Sequence, residues 1–216
     1  MCPWSLGSCA QSMQASSVKL TVMAAPLLFA LLLSVSSPQP LCQPEPNDPP
    51  AREAVWNARI SSLPALSRSL PARPDQALLM PVDGARVSEV ANTWGAPRGG
   101  GLVHAGQDIF AKRGTLVRSA TVGIIWMIGT SVRGGTWVYV LGAGGRRYYY
   151  AHLERVASGL REGQRVTTNT VLGRVGTTGD AETTPPHLHF ALFGRPNTDG
   201  PCRFPGFDPL PLLRNR

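Results

Sequence analysis

Residues 115–153 read TLVRSATVGIIWMIGTSVRGGTWVYVLGAGGRRYYYAHL, and this stretch decides the fold. Its apolar runs, Thr115 to Ser119, Gly123 to Ile128, Thr136 to Leu141 and Tyr148 to Leu153, have strand length and strand residues. Between them stand Arg133-Gly134-Gly135 and Gly144-Gly145, which suit tight hairpins because glycine accepts positive φ. Strands joined so closely must run antiparallel. Val171 to Val175 and His187 to Phe193 repeat the pattern, and nothing after residue 80 sustains a helical period. The sequence therefore predicts a mostly β domain, an antiparallel β sandwich or open groove. A faint echo between GTLVRSATVG (114–123) and EGQRVTTNTVLG (162–173) adds half-barrel, barrel-sandwich hybrid-like character.

Outside this domain the composition shifts. Ten of the 20 prolines fall between Pro38 and Pro81, whereas 22 of the 23 glycines lie between Gly84 and Gly206. Residues 37–77 read as a Pro-rich connector with one short helix across Arg52 to Ser62, and residues 78–213 as the folded domain. From Leu20 to Val35 run 16 uncharged residues, preceded by Lys19 and followed by Ser36 and Ser37. That pattern makes residues 1–36 an expected signal peptide, with Met13 as an alternative start. A spanning helix needs about 20 apolar residues, so anchoring is the lesser reading. Leu41 before Cys42 departs from a lipoprotein cleavage site, which wants a small residue there.

The cysteines at 2, 9, 42 and 202 form no CxxC knuckle, which excludes a zinc ribbon. Cleavage near Ser36 leaves Cys42 and Cys202 in an oxidising compartment, where they are free to pair or to remain two thiols. The net charge of +8 is almost all arginine, since Lys19 and Lys112 are the only lysines. Such a surface attracts polyanions, of which bacterial walls, anionic membranes and nucleic acid are three; a solvated basic face with no partner is the plain alternative. No interleaved basic and aromatic run supports nucleic acid.

All four histidines, 104, 152, 187 and 189, lie in the β domain. In Pro-Pro-His-Leu-His-Phe, His187 and His189 leave one face of a strand while Leu188 turns to the core. His104 and Asp108 stand four apart; a straight strand would separate them by about 13 Å, too far for one ion. The chain must bend, and Gly106 is placed to let it, with Gly99, Gly100 and Gly101 upstream suggesting a mobile rim. Two His and one Asp suit a catalytic zinc with a fourth position open to water. His152 and one of the pair His187/His189 then remain for proton transfer and for steadying an oxyanion. Singly, each histidine reads as a surface or core residue; together they converge on hydrolysis.

The segments GLVHAGQD, YYAHL and TTGDAETTPPHLHF resemble, in order and spacing, the three signature regions of the lysostaphin-like, or LytM-type, zinc endopeptidases. The likeness runs from Pro81 to Leu213 and includes the lead-in VDGARVSEVANTWGAPRGGG and the closing FDPLPLL. It implies one zinc ion held by His104, Asp108 and His189, with His152 and His187 catalytic. It further implies a metallopeptidase domain over 78–213 that acts on peptidoglycan, cutting either glycyl bridges or D-amino-acid crosslinks; the export signal and the Pro-rich connector lean towards a direct crosslink, cut from the periplasm or cell envelope. Nucleic acid is not an expected partner, while the anionic envelope surface is. The rival of another class is a silent wall-binding or amidase-activating module of the same fold. A lipoyl- or biotinyl-type carrier is a poorer rival, because Lys112 in FAKRG lacks the carrier hairpin.

Overall fold

The computed structural model describes residues 41–42, 50–98, 101–195 and 205–216. Twelve strands lie among them: β1 (Leu41–Cys42), β2 (Leu78–Leu79), β3 (Gln107–Phe110), β4 (Leu116–Arg118), β5 (Gly123–Ser131), β6 (Gly135–Gly142), β7 (Arg147–Val156), β8 (Arg165–Val166), β9 (Val171–Val175), β10 (His187–Phe193), β11 (Pro205–Phe207) and β12 (Leu213–Arg214). Ten of these form one sheet in the order β1-β11-β10-β7-β6-β5-β8, with β3 on β10 and β9 joining β7 to β4. Every pairing in it is antiparallel, and it does not close into a barrel. β12 and β2 form a short parallel pair. The glycine hairpins fall where expected, Val132–Gly134 joining β5 to β6 and Ala143–Arg146 joining β6 to β7.

Alternation along the strands builds the core. Leu188, Phe190 and Leu192 of β10 and Tyr148 and Tyr150 of β7 are fully buried, together with Ile109, Val117, Ile125, Val138, Val140 and Leu172. A slip of one residue in β10 would drive both its histidines into that core, so burial of the leucines and Phe190 fixes the register. β7 pairs with β10 through Arg147–Ala151 and with β9 from Leu153 onward, so the strand changes partner at His152.

The sequence echo has a structural counterpart. Gly114 N–H donates to Val175 O and Val175 N–H to Thr115 O; Gly163 N–H donates to Ile125 O and Ile125 N–H to Gln164 O. The start of each echo unit thus clasps the far end of the other, and Val117↔Gly173 answers Gly123↔Val166 at strand level. This mutual clasp gives the half-barrel its approximate twofold character.

The expected helix is present but longer. α1 runs Pro50–Ser67 rather than ending near Ser62, and it passes through Pro64. Ile60, Leu63 and Leu66, with Leu70, pack on Trp126, Met127 and Leu141 of β5–β6, and this docking outweighs the helix-breaking tendency of the proline, about 3 kcal/mol. No described helix is long and apolar enough to cross a membrane. The expected signal segment, Cys202 and the glycines 99 and 100 lie outside the described residues. Of the expected cysteine pair, only the backbone of Cys42 is placed, opposite Pro205.

Candidate metal centre and catalytic cleft

Strand register assembles the site. His189 faces Asp108 of β3 on one side and Ala151 of β7 on the other, and His187 faces Phe110. Directly opposed residues of antiparallel strands project from the same face, so Asp108 and His189 meet across the ladder. His104 precedes β3, and the chain bends at Gly106 as the spacing requires. The need for glycine there is one of room rather than of φ: a Cβ on Gly106 would lie 2.5 Å from His189 Cε1 and 2.9 Å from Phe190 O.

His104 Nε2, His189 Nδ1 and Asp108 Oδ1 form a tight triangle with edges of 2.8, 3.0 and 3.0 Å. His104 Nδ1 lies 2.8 Å from Thr93 O, and a carbonyl can only accept, so the ring proton sits on Nδ1. Nε2 then turns a lone pair toward a carboxylate oxygen. Two acceptors 3.0 Å apart in a buried site repel unless a cation lies between them. A tetrahedral zinc with ligands at about 2.0–2.2 Å suits that triangle, and the two-nitrogen, one-carboxylate set is one that zinc favours. The residues present therefore fit the ion. Burial would raise the Asp108 pKa, but the close His104 and His189 rings outweigh it and hold the carboxyl well below the usual range. Burial lowers the pKa of His189.

The triangle is braced from behind. Arg98 Nη2 donates to Asp108 Oδ2 at 2.9 Å, which leaves Oδ1 to face the imidazoles. Asp108 N–H donates to Thr93 Oγ1, and Thr93 N–H donates to Oε1 of the fully buried Gln107. The Gln107 amide donates to Asn92 Oδ1 and Asp208 Oδ1, both at 2.8 Å.

His152 and His187 stand beside the triangle, their ring centroids 5.0 Å apart. His152 is the only described non-glycine residue with positive φ, 59°. With Ala151 toward the cleft, strict alternation would send His152 into the core; the left-handed backbone turns it back to the cleft and leaves Leu153 to the interior. His152 Nδ1 lies 2.9 Å from Thr178 O and His187 Nδ1 2.8 Å from Pro185 O. By the same carbonyl argument both carry a proton on Nδ1 and turn Nε2 to the cleft. His152 Nε2 is 3.8 Å from Asp180 Oδ1, and His187 Nε2 is 3.8 Å from Asp108 Oδ1. Burial, reinforced by His189, lowers the His152 pKa to about 4, so the ring is neutral and able to take a proton at pH 7.

All five expected side chains line one cleft of about 580 Å³, together with Tyr139, Tyr149 and Phe193. Arg98, Arg133, Arg147, Asp180, Thr93 and Thr178 were not singled out by sequence reasoning. Thr93 and Thr178 orient His104 and His152 through backbone carbonyls, which carry no side-chain signature; Arg98 had one available signal, its place beside Gly95 and the glycines of the lead-in.

Residues 102–199 match Peptidase family M23. Over 130 residues, 57% of this chain and 39% of the relative, the chain is 36% identical to the L-Ala--D-Glu endopeptidase of Bacillus subtilis. Over 107 residues, 50% of this chain and 22% of the relative, it is 35% identical to the DD-carboxypeptidase/endopeptidase Mpg of Neisseria meningitidis. Among solved structures, Csd3 of Helicobacter pylori is similar with a TM-score of 0.50 and 27% identity, over 66% of this chain and 36% of Csd3. The chain spans less than half the length of these relatives.

Proposed function

We propose that this chain, whose residues 102–199 match Peptidase family M23, is an exported zinc endopeptidase of the LytM type that hydrolyses peptide bonds in bacterial peptidoglycan. The observation that carries this reading is the triangle of His104, Asp108 and His189, whose ligand atoms converge as a metal ion would require, set beside two histidines whose Nε2 atoms face the same cleft. The names of the two relatives, an L-Ala--D-Glu endopeptidase and a DD-carboxypeptidase/endopeptidase, support a peptide substrate containing D-residues.

A zinc ion in the triangle would supply a Lewis acid and an activated water at neutral pH. His152 and His187, beside the triangle, would serve to take up a proton from that water and to steady the charge on the scissile carbonyl oxygen. Thr178 and Pro185 anchor each Nδ1–H, so Nε2 is the atom each ring turns to the cleft: bare, it takes up a proton, and once protonated it donates to the carbonyl oxygen. Export follows from the apolar stretch Leu20–Val35, and N-terminal sequencing of the mature protein is expected to find a start between about residue 34 and residue 42.

Metal analysis tests the reading. Purified protein should hold close to one zinc per chain, and chelation should stop release of peptide ends from peptidoglycan until zinc is restored. Full hydrolysis by metal-free protein would contradict it.

A further inference from the structure

The cleft carries more positive charge than its chemistry requires. Arg98, Arg133 and Arg147 line it against Asp108 and Asp180, and Asp108 is committed to the metal triangle. Arg98 is held on Asp108 Oδ2, and Arg147 is buried, with its guanidinium over the Trp126 and Phe193 rings and Nη2 donating to Gly194 O. Arg133 differs: it is exposed at the rim, and its side chain makes no ion pair or hydrogen bond among the described residues.

Its backbone, by contrast, is fixed to the catalytic machinery. Gly134 O accepts from His152 N–H at 2.9 Å, and Arg133 O accepts from Asp180 N–H at 3.0 Å. Gly135 packs so closely on Thr178, whose carbonyl orients His152, that a Cβ there would lie 2.1 Å from Thr178 Oγ1. The tip of the β5–β6 hairpin therefore cannot drift relative to His152. A guanidinium rooted there reaches a substrate group at a set displacement from the scissile bond, and a planar fork pairs best with a carboxylate.

Resting on the peptidase reading above, we propose that Arg133 is a specificity-determining residue: it binds a free carboxylate of the substrate peptide close to the bond being cut. The enzyme then prefers stem peptides with free carboxylates over the same peptides carrying carboxamides. An uncharged glycyl bridge would leave this guanidinium without a partner, and the positive cleft as a whole favours approach of an anionic chain.

The test compares kcat/KM of the zinc-loaded protein on a synthetic cross-linked stem peptide with its carboxylates free and on the same peptide fully amidated. Wild type should favour the free form by about fivefold, the upper end for an ion pair at a solvated rim. Arg133→Gln should bring the ratio close to one, through a raised KM for the carboxylate peptide and with zinc content unchanged. Arg133→Lys should keep part of the preference. A wild-type ratio near one, or an unchanged ratio in Arg133→Gln, would overturn the inference while leaving the peptidase reading standing. Wild-type protein that cuts neither peptide would overturn the peptidase reading and this inference with it.

Discussion

A histidine at φ 59° carries a backbone cost that an unconstrained strand would not accept, about 1–2 kcal/mol for a residue with a Cβ. The fold bears it at His152 because the turn delivers the imidazole to the cleft. Glycine has no such cost, so His152→Gly should be more stable than His152→Ala by about 1 kcal/mol in denaturant unfolding, and both should be inactive. Equal stabilities would mean that the turn is not strained. The same residue sets a pH dependence in the metal-free chain. Its folded pKa of about 4 lies below the unfolded value of 6.5, so the unfolded chain binds more protons between those values. Stability should fall as pH drops through that window, and His152→Gly should show a shallower decline. The five site residues also separate by role. His104→Ala, Asp108→Ala and His189→Ala should lose zinc and activity together. His152→Ala and His187→Ala should keep zinc while losing a factor of roughly 10² to 10⁴ in rate. Zinc retained in His189→Ala but lost from His152→Ala would reverse the assignment.

β10 and β7 differ in how far they can be read from sequence. In β10 the alternation of His187, Leu188, His189 and Phe190 is unbroken, so the face of every side chain, and the bounds of the strand, follow from burial alone. In β7 the alternation breaks at His152, where the strand leaves β10 for β9, and no local pattern announces a left-handed histidine. Only hydrolytic chemistry, which asks for a second histidine in the cleft, points to its direction. The end of α1 escaped for a related reason: Pro64 reads as a stop, and the partners that override it, Trp126 and Leu141, lie far along the chain. The bend before β3 was legible from the spacing of His104 and Asp108, but the close approach of the His189 ring to Gly106 was not. A methyl group there must displace that ring, so Gly106→Ala should weaken zinc binding by about tenfold or more, the range for disturbing a ligand's support. Unaltered affinity in a competition titration would show that the ring has room to move.

At the scale of the molecule, the braces of the triangle tie distant parts together. Gln107 stands between His104 and Asp108 in the chain and reaches Asp208, so the segment after β11 and the candidate metal site share one polar network. Such coupling makes metal binding a contribution to folding: zinc at a hundredfold excess over its dissociation constant should stabilise the protein by about 2.7 kcal/mol, and Asp108→Ala should lose that gain in thermal unfolding. The cleft around this network is lined by aromatic rings and arginines, which suit an extended anionic peptide. The most direct test of what that cleft does is mass spectrometry of the fragments released from purified peptidoglycan by the zinc-loaded protein. Fragments with newly exposed peptide termini, absent when Asp108→Ala is used, are the predicted result. Intact peptides with fully zinc-loaded protein, or release by cleavage of the glycan alone, would contradict the account.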